Sequence, residues 1–343
     1  RQLGQLLFEK LALPPVKKTK TGYSTNADVL EKLKDKHPII PAIMDYRMLT
    51  KLKSTYADGL LQEIREDGRI HTTFQNLVTA TGRLSSTDPN LQNIPVRTDL
   101  GAEIRKMFVP RDGCVLVDAD YSQIELRVLA HIADDKAMQE AFCSGADIHT
   151  ATAAQVFGVP ADQVTPLQRR HAKAVNFGIV YGISEYSLAE DIGVNYHEAR
   201  AYIDSYLANY HGVREYMKRV VENAREIGYT TTLYGRRRYI PELKSTNYNV
   251  RQGAERIALN TPIQGTAADL IKLAMVRVEN ALRESFPDAK LLLQVHDELI
   301  VECPEELAQS VSELVSTQME QVASLAVPLT AEAKYGKSWY EAK

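Results

Sequence analysis

The sequence has 343 residues, 44% hydrophobic and 25% charged, with a formal net charge of −3. That length exceeds one ordinary domain and predicts two or three subdomains with ample core. No apolar run approaches the roughly 20 residues of a membrane span, so the composition is that of a soluble globular protein, and the near-neutral charge leaves an anionic partner open.

In chain order, Arg1 opens in the middle of an amphipathic pattern, which suggests a piece of something longer. Residues 1–58 read as short helices joined by the polar segment Lys17 to Thr25, a mobile tip on a helical hairpin. They hold eleven Lys or Arg against six Asp or Glu, with Lys17, Lys18 and Lys20 clustered beside Thr19 and Thr21. Residues 69–119 are strand-like: Arg69 to Phe74, a turn-rich stretch from Thr81 to Pro95, then Val115-Leu116-Val117 running into Asp118-Ala119-Asp120. From Ile124 to Leu282 the pattern is almost all helical, with breaks at Gly145, Pro160, Gly193, Gly212 and Pro241, and with a second basic cluster at Arg236, Arg237 and Arg238. Leu291 to Val295 and Leu299 to Val301 read as strands flanking a charged tip, His296-Asp297-Glu298. Strands enclosing a helical insertion imply a sheet-based platform with a helical arm. Cys114, Cys143 and Cys303 lack metal-ligand spacing and read as reduced thiols of a cytoplasmic protein.

The most informative pattern is a four-residue ladder: Arg169, Lys173, Phe177 and Tyr181. On a helix these share one face about 18 Å long, two cations followed by two rings, which suits a polyphosphate attached to a flat base. The competing reading is a solvated basic helix whose rings dock into a core. Val175, Ile179 and Val180 already supply an apolar stripe, however, and Gly178 and Gly182 beside the rings would let something flat approach the backbone. Asp120 ends one apolar strand and Asp297 tips another, and two such carboxylates are what a pair of Mg²⁺ ions needs to bridge a triphosphate. Spacing alone leaves open whether both merely cap turns.

These residues resemble the family A DNA polymerases. Asp120-Tyr121-Ser122-Gln123-Ile124-Glu125-Leu126-Arg127 looks like motif A, the run Arg169 to Gly182 like motif B, and Val295-His296-Asp297-Glu298 like motif C. Thr81-Gly82-Arg83-Leu84-Ser85-Ser86 and Gln92-Asn93-Ile94-Pro95 match two further signatures in order, so the resemblance covers nearly the whole chain. It implies an α+β right hand: residues 1–62 a partial helical thumb, 63–122 and 266–343 an antiparallel-sheet palm, and 123–265 helical fingers. It implies template-directed addition of deoxynucleotides to a primer 3′ end by a two-metal mechanism, with no exonuclease domain in this chain.

The resemblance also implies roles. Asp120 and Asp297 would hold two Mg²⁺ ions, with the Tyr121 carbonyl as a further ligand and Glu298 secondary; Asp118, which the motif does not use, is left out. Arg169, Lys173 and His149 would bind phosphates, with Lys173 able to donate a proton to the departing pyrophosphate. Gln123, Glu125, Phe177 and Tyr181 would meet the nucleotide, Glu125 standing over C2′ to exclude ribonucleotides. Arg83, Gln92, Asn93, Asn260, Gln264 and His296 would donate into the minor groove of primer-template DNA, where every base pair offers an acceptor. Phosphate contacts would come from the lysines of the first 62 residues and from Arg236 to Arg238. Trp339 reads as core. The expected partners are DNA and dNTPs, with no membrane, in a monomer. The alternatives are a single-subunit RNA polymerase, a metal-dependent nuclease and a non-catalytic DNA-binding module; Glu125 and Gln92-Asn93-Ile94-Pro95 favour DNA synthesis, and neither a nuclease nor a pure binder needs the ladder.

Overall fold

The computed structural model describes residues 1–19, 22–95 and 99–343, so Lys20 and Thr21 of the basic tip lie outside the described residues. The chain forms two compact units, Arg1–Thr73 with Ile94–Ile104, and Phe74–Asn93 with Arg105–Lys343.

The smaller unit closes on a core of Leu7, Phe8, Leu13, Val29, Leu30, Leu33 and Ile40. Asn26 caps the helix Ala27–Lys32 by accepting from the Val29 amide, and Ile39–Lys51 forms the longest helix of the unit. The polar segment differs from the expected helical-hairpin tip. Lys18–Thr19 pairs antiparallel with Gly22–Tyr23, and the Tyr23 ring, 4.9 Å from that of Phe8, ties the ribbon to apolar side chains that a purely polar tip would lack.

The larger unit is built on a four-stranded antiparallel sheet. Its strands are β1 (Cys114–Tyr121), β2 (Lys290–Val295), β3 (Glu298–Pro304) and β4 (Ala331–Gly336), in the order β4-β1-β3-β2. Alternation gives β1 two different faces. Val115, Val117, Ala119 and Tyr121 join the core with Val311, Val315 and Met319 of the helix Ala308–Glu320, and the Tyr121 hydroxyl donates to the Met319 carbonyl at 2.6 Å. Asp118 and Asp120 point to the opposite face, and Asp120 is the one exposed residue of an otherwise buried strand.

Between β1 and β2 runs the helical insertion, including α1 (Ile124–Ile132), α2 (Ile148–Phe157), α3 (Pro166–Val180), α4 (Tyr196–Asn209), α5 (His211–Ile227) and α6 (Tyr248–Ser285). It is not helical throughout: Tyr229–Thr231 and Arg237–Tyr239 form a small antiparallel hairpin that the helical reading missed. The break expected at Gly212 falls two residues earlier, at Tyr210 between α4 and α5, and Gly212 itself has another use. It sits in the first turn of α5, where a Cβ would come 2.7 Å from the Ala133 carbonyl, so it allows close packing rather than ending a helix.

Candidate active site

The acid end of the site is assembled by the sheet. Asp120 and Glu298 are directly opposed across β1 and β3, and therefore share a face. Asp297 sits in the two-residue turn joining β2 to β3. Glu298 belongs to the strand, so the charged tip is shorter than its three-residue sequence reading. The Tyr121 amide donates to the Asp297 carbonyl at 3.1 Å, which draws the turn onto the end of β1 and brings together the two acids that sequence spacing could not join.

Two non-glycine residues take left-handed backbone here: His296 in the turn (φ 54°) and Gln123 at the start of α1 (φ 54°). Both lie next to the motif acids, where sparsely populated conformations concentrate when a site over-determines its backbone.

Glu125, in the first turn of α1, is buried and accepts from Arg83 at 2.7 Å and from the Tyr181 hydroxyl at 2.8 Å. Burial, with Glu125 and Asp120 nearby, pushes the Asp297 carboxyl up to about 6 despite the opposing pull of Arg83. Asp120, although half of its side chain is open to solvent, is also raised by the partial burial of its carboxyl, with Lys343 opposing.

Arg105 and Lys343 of this cluster escaped the sequence reading, which leaves Asp118 out. Asp118 is buried, accepts from the Trp339 indole at 3.2 Å, and has its carboxyl pushed by burial up to about 6. Arg105 lies 4.3 Å over the Trp339 ring and 4.0 Å from the free oxygen of Glu298. Lys343 bonds Glu298 and lies 4.0 Å from Asp120. Trp339 is core, as expected, but it also holds an acid. The i, i+2 spacing of Asp118 and Asp120 was the available signal, whereas Arg105 and Lys343 reach the cluster only through tertiary folding.

The ladder helix α3 begins with a capping box, in which Thr165 and Gln168 exchange hydrogen bonds around Pro166 at the first position. Arg169 and Lys173 are exposed and Phe177 is half-buried along one side, as the four-residue spacing requires. Tyr181 is the C-cap, one step beyond the helix.

The glycines do not open the backbone to a flat ligand. Gly182 (φ 66°) terminates the helix, the Gly182 and Ile183 amides donating back to Ile179 and Gly178, and a Cβ on Gly178 would come 2.6 Å from the Ile183 side chain. Tyr181, through Glu125, is the ladder's contact with the acid end.

At the other end of the ladder, α2 supplies the partners. Asp147 caps α2 and receives Arg169 through two bonds, 2.6 and 3.1 Å, so that although partly buried it is held well below the usual carboxylate range. His149 is buried rather than a surface histidine; its ring centroid is 5.7 Å from that of Phe177. Burial lowers its pKa to about 4, so it is neutral at physiological pH. Lys173 is exposed on the same helix face.

The other expected contacts divide. Asn260 and Gln264 lie one turn apart on α6 and share a face; the Asn260 side-chain oxygen is buried without a partner. Gln92 donates to the Gln294 carbonyl and side chain, at 3.2 and 3.0 Å, so its amide is already engaged beside the β2–β3 turn where His296 is exposed. Arg83 is committed to Glu125, and Asn93 follows Gln92 in a short turn of helix. The arginine cluster is not a free basic patch: Arg236 makes two bonds to Asp269, Arg238 donates to Thr261, and Arg237 lies over the Tyr229 ring.

Among the described residues no three His, Cys, Asp or Glu side chains form a ready metal cage. Asp120 and Asp297 with the Tyr121 carbonyl make an oxygen-only set of two carboxylates. That donor chemistry fits Mg²⁺, which keeps waters and takes further oxygens from a substrate. The carboxyls of Asp297 and Asp120 are raised chiefly by burial, and secondarily by neighbouring acids, and a divalent cation would offset both costs.

A sequence model of DNA polymerase family A matches residues 1–341. The chain is 57% identical over 344 residues to DNA polymerase I of Caldicellulosiruptor bescii and 56% over 345 residues to that of Bacillus subtilis; each alignment takes in all of this chain but 40% and 39% of the relative. It therefore spans about two fifths of the length of these curated relatives. Among solved structures, the polymerase domain of Pol1 from M. smegmatis, in complex with DNA primer-template and dNTP, superposes with a TM-score of 0.94 at 48% identity, over 99% of this chain and 60% of that one.

Proposed function

The chain belongs to DNA polymerase family A, and from that premise we propose that it is a template-directed DNA polymerase, adding deoxynucleotides to a primer 3′ end with release of pyrophosphate. The observation that carries this reading is the joining of Asp297 to the end of β1 beside Asp120, with Glu125 linking that acid end to Tyr181 of the ladder. Residues 63–122 and 266–343 are the palm, 123–265 the fingers and 1–62 part of a thumb. The enzyme is a cytoplasmic monomer acting on primer-template DNA and dNTPs; no helix among the described residues is long and apolar enough to cross a membrane.

Asp120, Asp297 and the Tyr121 carbonyl would hold two Mg²⁺ ions, which when bound neutralise triphosphate charge and lower the pKa of the attacking 3′-hydroxyl. Glu298 supports the acid end from β3, opposite Asp120 on β1, while held by Lys343. Arg169, Lys173 and His149 bind the phosphates, and Lys173 gives a proton to the departing pyrophosphate oxygen. Arg169 exchanges its Asp147 partner for phosphate when substrate arrives.

Gln123 borders the nucleotide at the start of α1. Glu125 walls off the sugar's C2′, its carboxylate still held by Arg83 once Tyr181 has moved away, so a ribonucleotide hydroxyl would clash with it. Phe177 packs on sugar and base. Tyr181 lies beside the templating position and leaves Glu125 when α3 closes. Arg83, Gln92, Asn93, Asn260, Gln264 and His296 donate to the minor-groove acceptors common to all pairs, Arg83 through guanidinium nitrogens other than the one on Glu125, and Gln92 by exchanging its Gln294 partner for DNA.

Primer extension with Mg²⁺ and either dNTPs or NTPs tests the reading. Template-matched deoxynucleotide addition is expected. Ribonucleotide preference would make it an RNA polymerase, primer degradation a nuclease, and retention without chemistry a binding module.

A further inference from the structure

Behind His149 lies a buried polar chain that the proposed reaction does not use. Asn176 is on α3, three residues after Lys173, but faces inward with no exposed surface; Thr152 on α2 and Tyr210, between α4 and α5, are equally buried. The Tyr210 hydroxyl is 3.1 Å from Thr152 Oγ1, which is 3.2 Å from Asn176 Oδ1. Asn176 Nδ2 lies 3.0 Å from Thr152 Oγ1 and 3.2 Å from His149 Nδ1.

One polarity satisfies every donor in the chain. Burial pushes the Tyr210 phenol up to about 12, so it keeps its proton, and in this sense of the chain that proton goes to Thr152 Oγ1, although either hydroxyl can donate in this pair. With that bond made, the Thr152 proton is offered to Asn176 Oδ1, while Asn176 Nδ2 directs one hydrogen to Thr152 Oγ1 and the other to His149 Nδ1. Hydrogen bonds aligned in this head-to-tail sense polarise one another in a low-dielectric interior.

We propose that Tyr210, Thr152 and Asn176 form a positioning relay that holds His149 in the tautomer with Nδ1 bare and the proton on Nε2, so that the ring donates to the incoming triphosphate. The inverted tautomer would turn a lone pair toward phosphate oxygens and repel them. A neutral imidazole of fixed orientation binds phosphate by donation without adding a third full charge beside Arg169 and Lys173, and a burial-lowered pKa near 4 suits that role. The inference rests on the reading of His149 as a triphosphate contact; Asn176 acts only through His149 and is not itself catalytic.

Nitrogen-15 NMR of histidine-labelled protein, with His149 assigned by its loss in His149→Gln, reads the tautomer directly and needs no catalysis. The expected wild-type signature is protonated Nε2 and bare Nδ1. A proton on Nδ1 would overturn the relay. Asn176→Asp replaces the donor with an acceptor and should move the proton to Nδ1, raising the dNTP KM about tenfold with kcat changed less than about threefold. An unchanged KM alongside an inverted tautomer would also overturn it. If Asn176→Asp does not fold, the wild-type spectrum still decides, and Tyr210→Phe, which deletes only the terminal donor, should give a mixed tautomer. His149→Ala separates the two readings: if it leaves the dNTP KM unchanged, the phosphate role of His149 fails even where the tautomer is as stated.

Discussion

The acid end of the site and the cationic end of α3 hold their charges in different ways. Asp118, Asp297 and Glu298 sit in or beside the buried sheet, with carboxyls at 118 and 297 raised to about 6 and unpartnered oxygens on Asp118 and Glu298. Arg169 and Lys173 stand in solvent, Arg169 resting on Asp147. Concentrating carboxylates in a poorly solvated place costs stability and leaves a demand for cations, which Arg105 and Lys343 meet in part. Exposed cations cost almost nothing and can change partners. The acid end is a fixed electrostatic frame, and the ladder is the part free to exchange partners.

The contrast is broken most directly at the acids. Asp297→Asn should reduce primer extension by about 10³-fold or more while primer-template binding persists, because transition-state charge stabilisation is lost but no DNA contact is. Loss of binding in a filter or anisotropy assay would make this a structural aspartate. Lys173→Ala should lower kcat by about 10²-fold or more, with thermal stability moved by less than about 0.5 kcal/mol, as for an exposed side chain. A large fall in Tm would place Lys173 in the frame.

Glu125 joins the acid end to Tyr181, at the end of the ladder away from its cations, and tests whether the frame also selects the sugar. Glu125→Ala removes the acceptor of Arg83 and Tyr181 and should weaken discrimination against ribonucleotides by about tenfold or more; equal discrimination in competing extensions would reject the gate. Phe177→Tyr, a smaller change on the exchanging side, should ease dideoxynucleotide incorporation a few-fold by supplying a hydroxyl, on the order of one hydrogen bond. Unchanged chain termination would reject that placement of the ring.

The raised carboxyls also make a stability prediction of fixed sign. Asp118 and Asp297 titrate near 6 folded but near the ordinary aspartate value unfolded, so the folded state binds more protons over the interval between. Without metal, stability should therefore be greatest below about pH 4 as far as these groups decide it, and fall as pH rises to about 6. Chemical denaturation in EDTA would show that slope, and Asp297→Asn should flatten it.

The sequence by itself determined whatever is local or periodic. The spacing of Arg169, Lys173 and Phe177 put them on one helical side because α-helical geometry repeats within two turns, and the apolar runs ending at Asp120 and Val295 became central and edge strands of one sheet. The ordered motifs identified the family. Readings that treated glycine as an opening failed at Gly178 and Gly182, since a missing Cβ serves close packing or a left-handed helix end as readily as a ligand, and only the neighbours distinguish these uses. The arginine cluster was legible as charge but not as commitment, because Asp269, the partner of Arg236, is 33 residues away.

Only the tertiary structure decided which acids meet and what holds them. The joining of Asp297 to Tyr121, Arg105 and Lys343 around Glu298, and the Tyr210–Thr152–Asn176–His149 chain all link residues remote in sequence. Such contacts depend on strand register and helix packing, which short-range patterns do not encode. Burial then sets the electrostatics: the same aspartate side chain is an ordinary acid in solvent and, beneath Trp339 or in the β2–β3 turn, one that holds its proton to about pH 6.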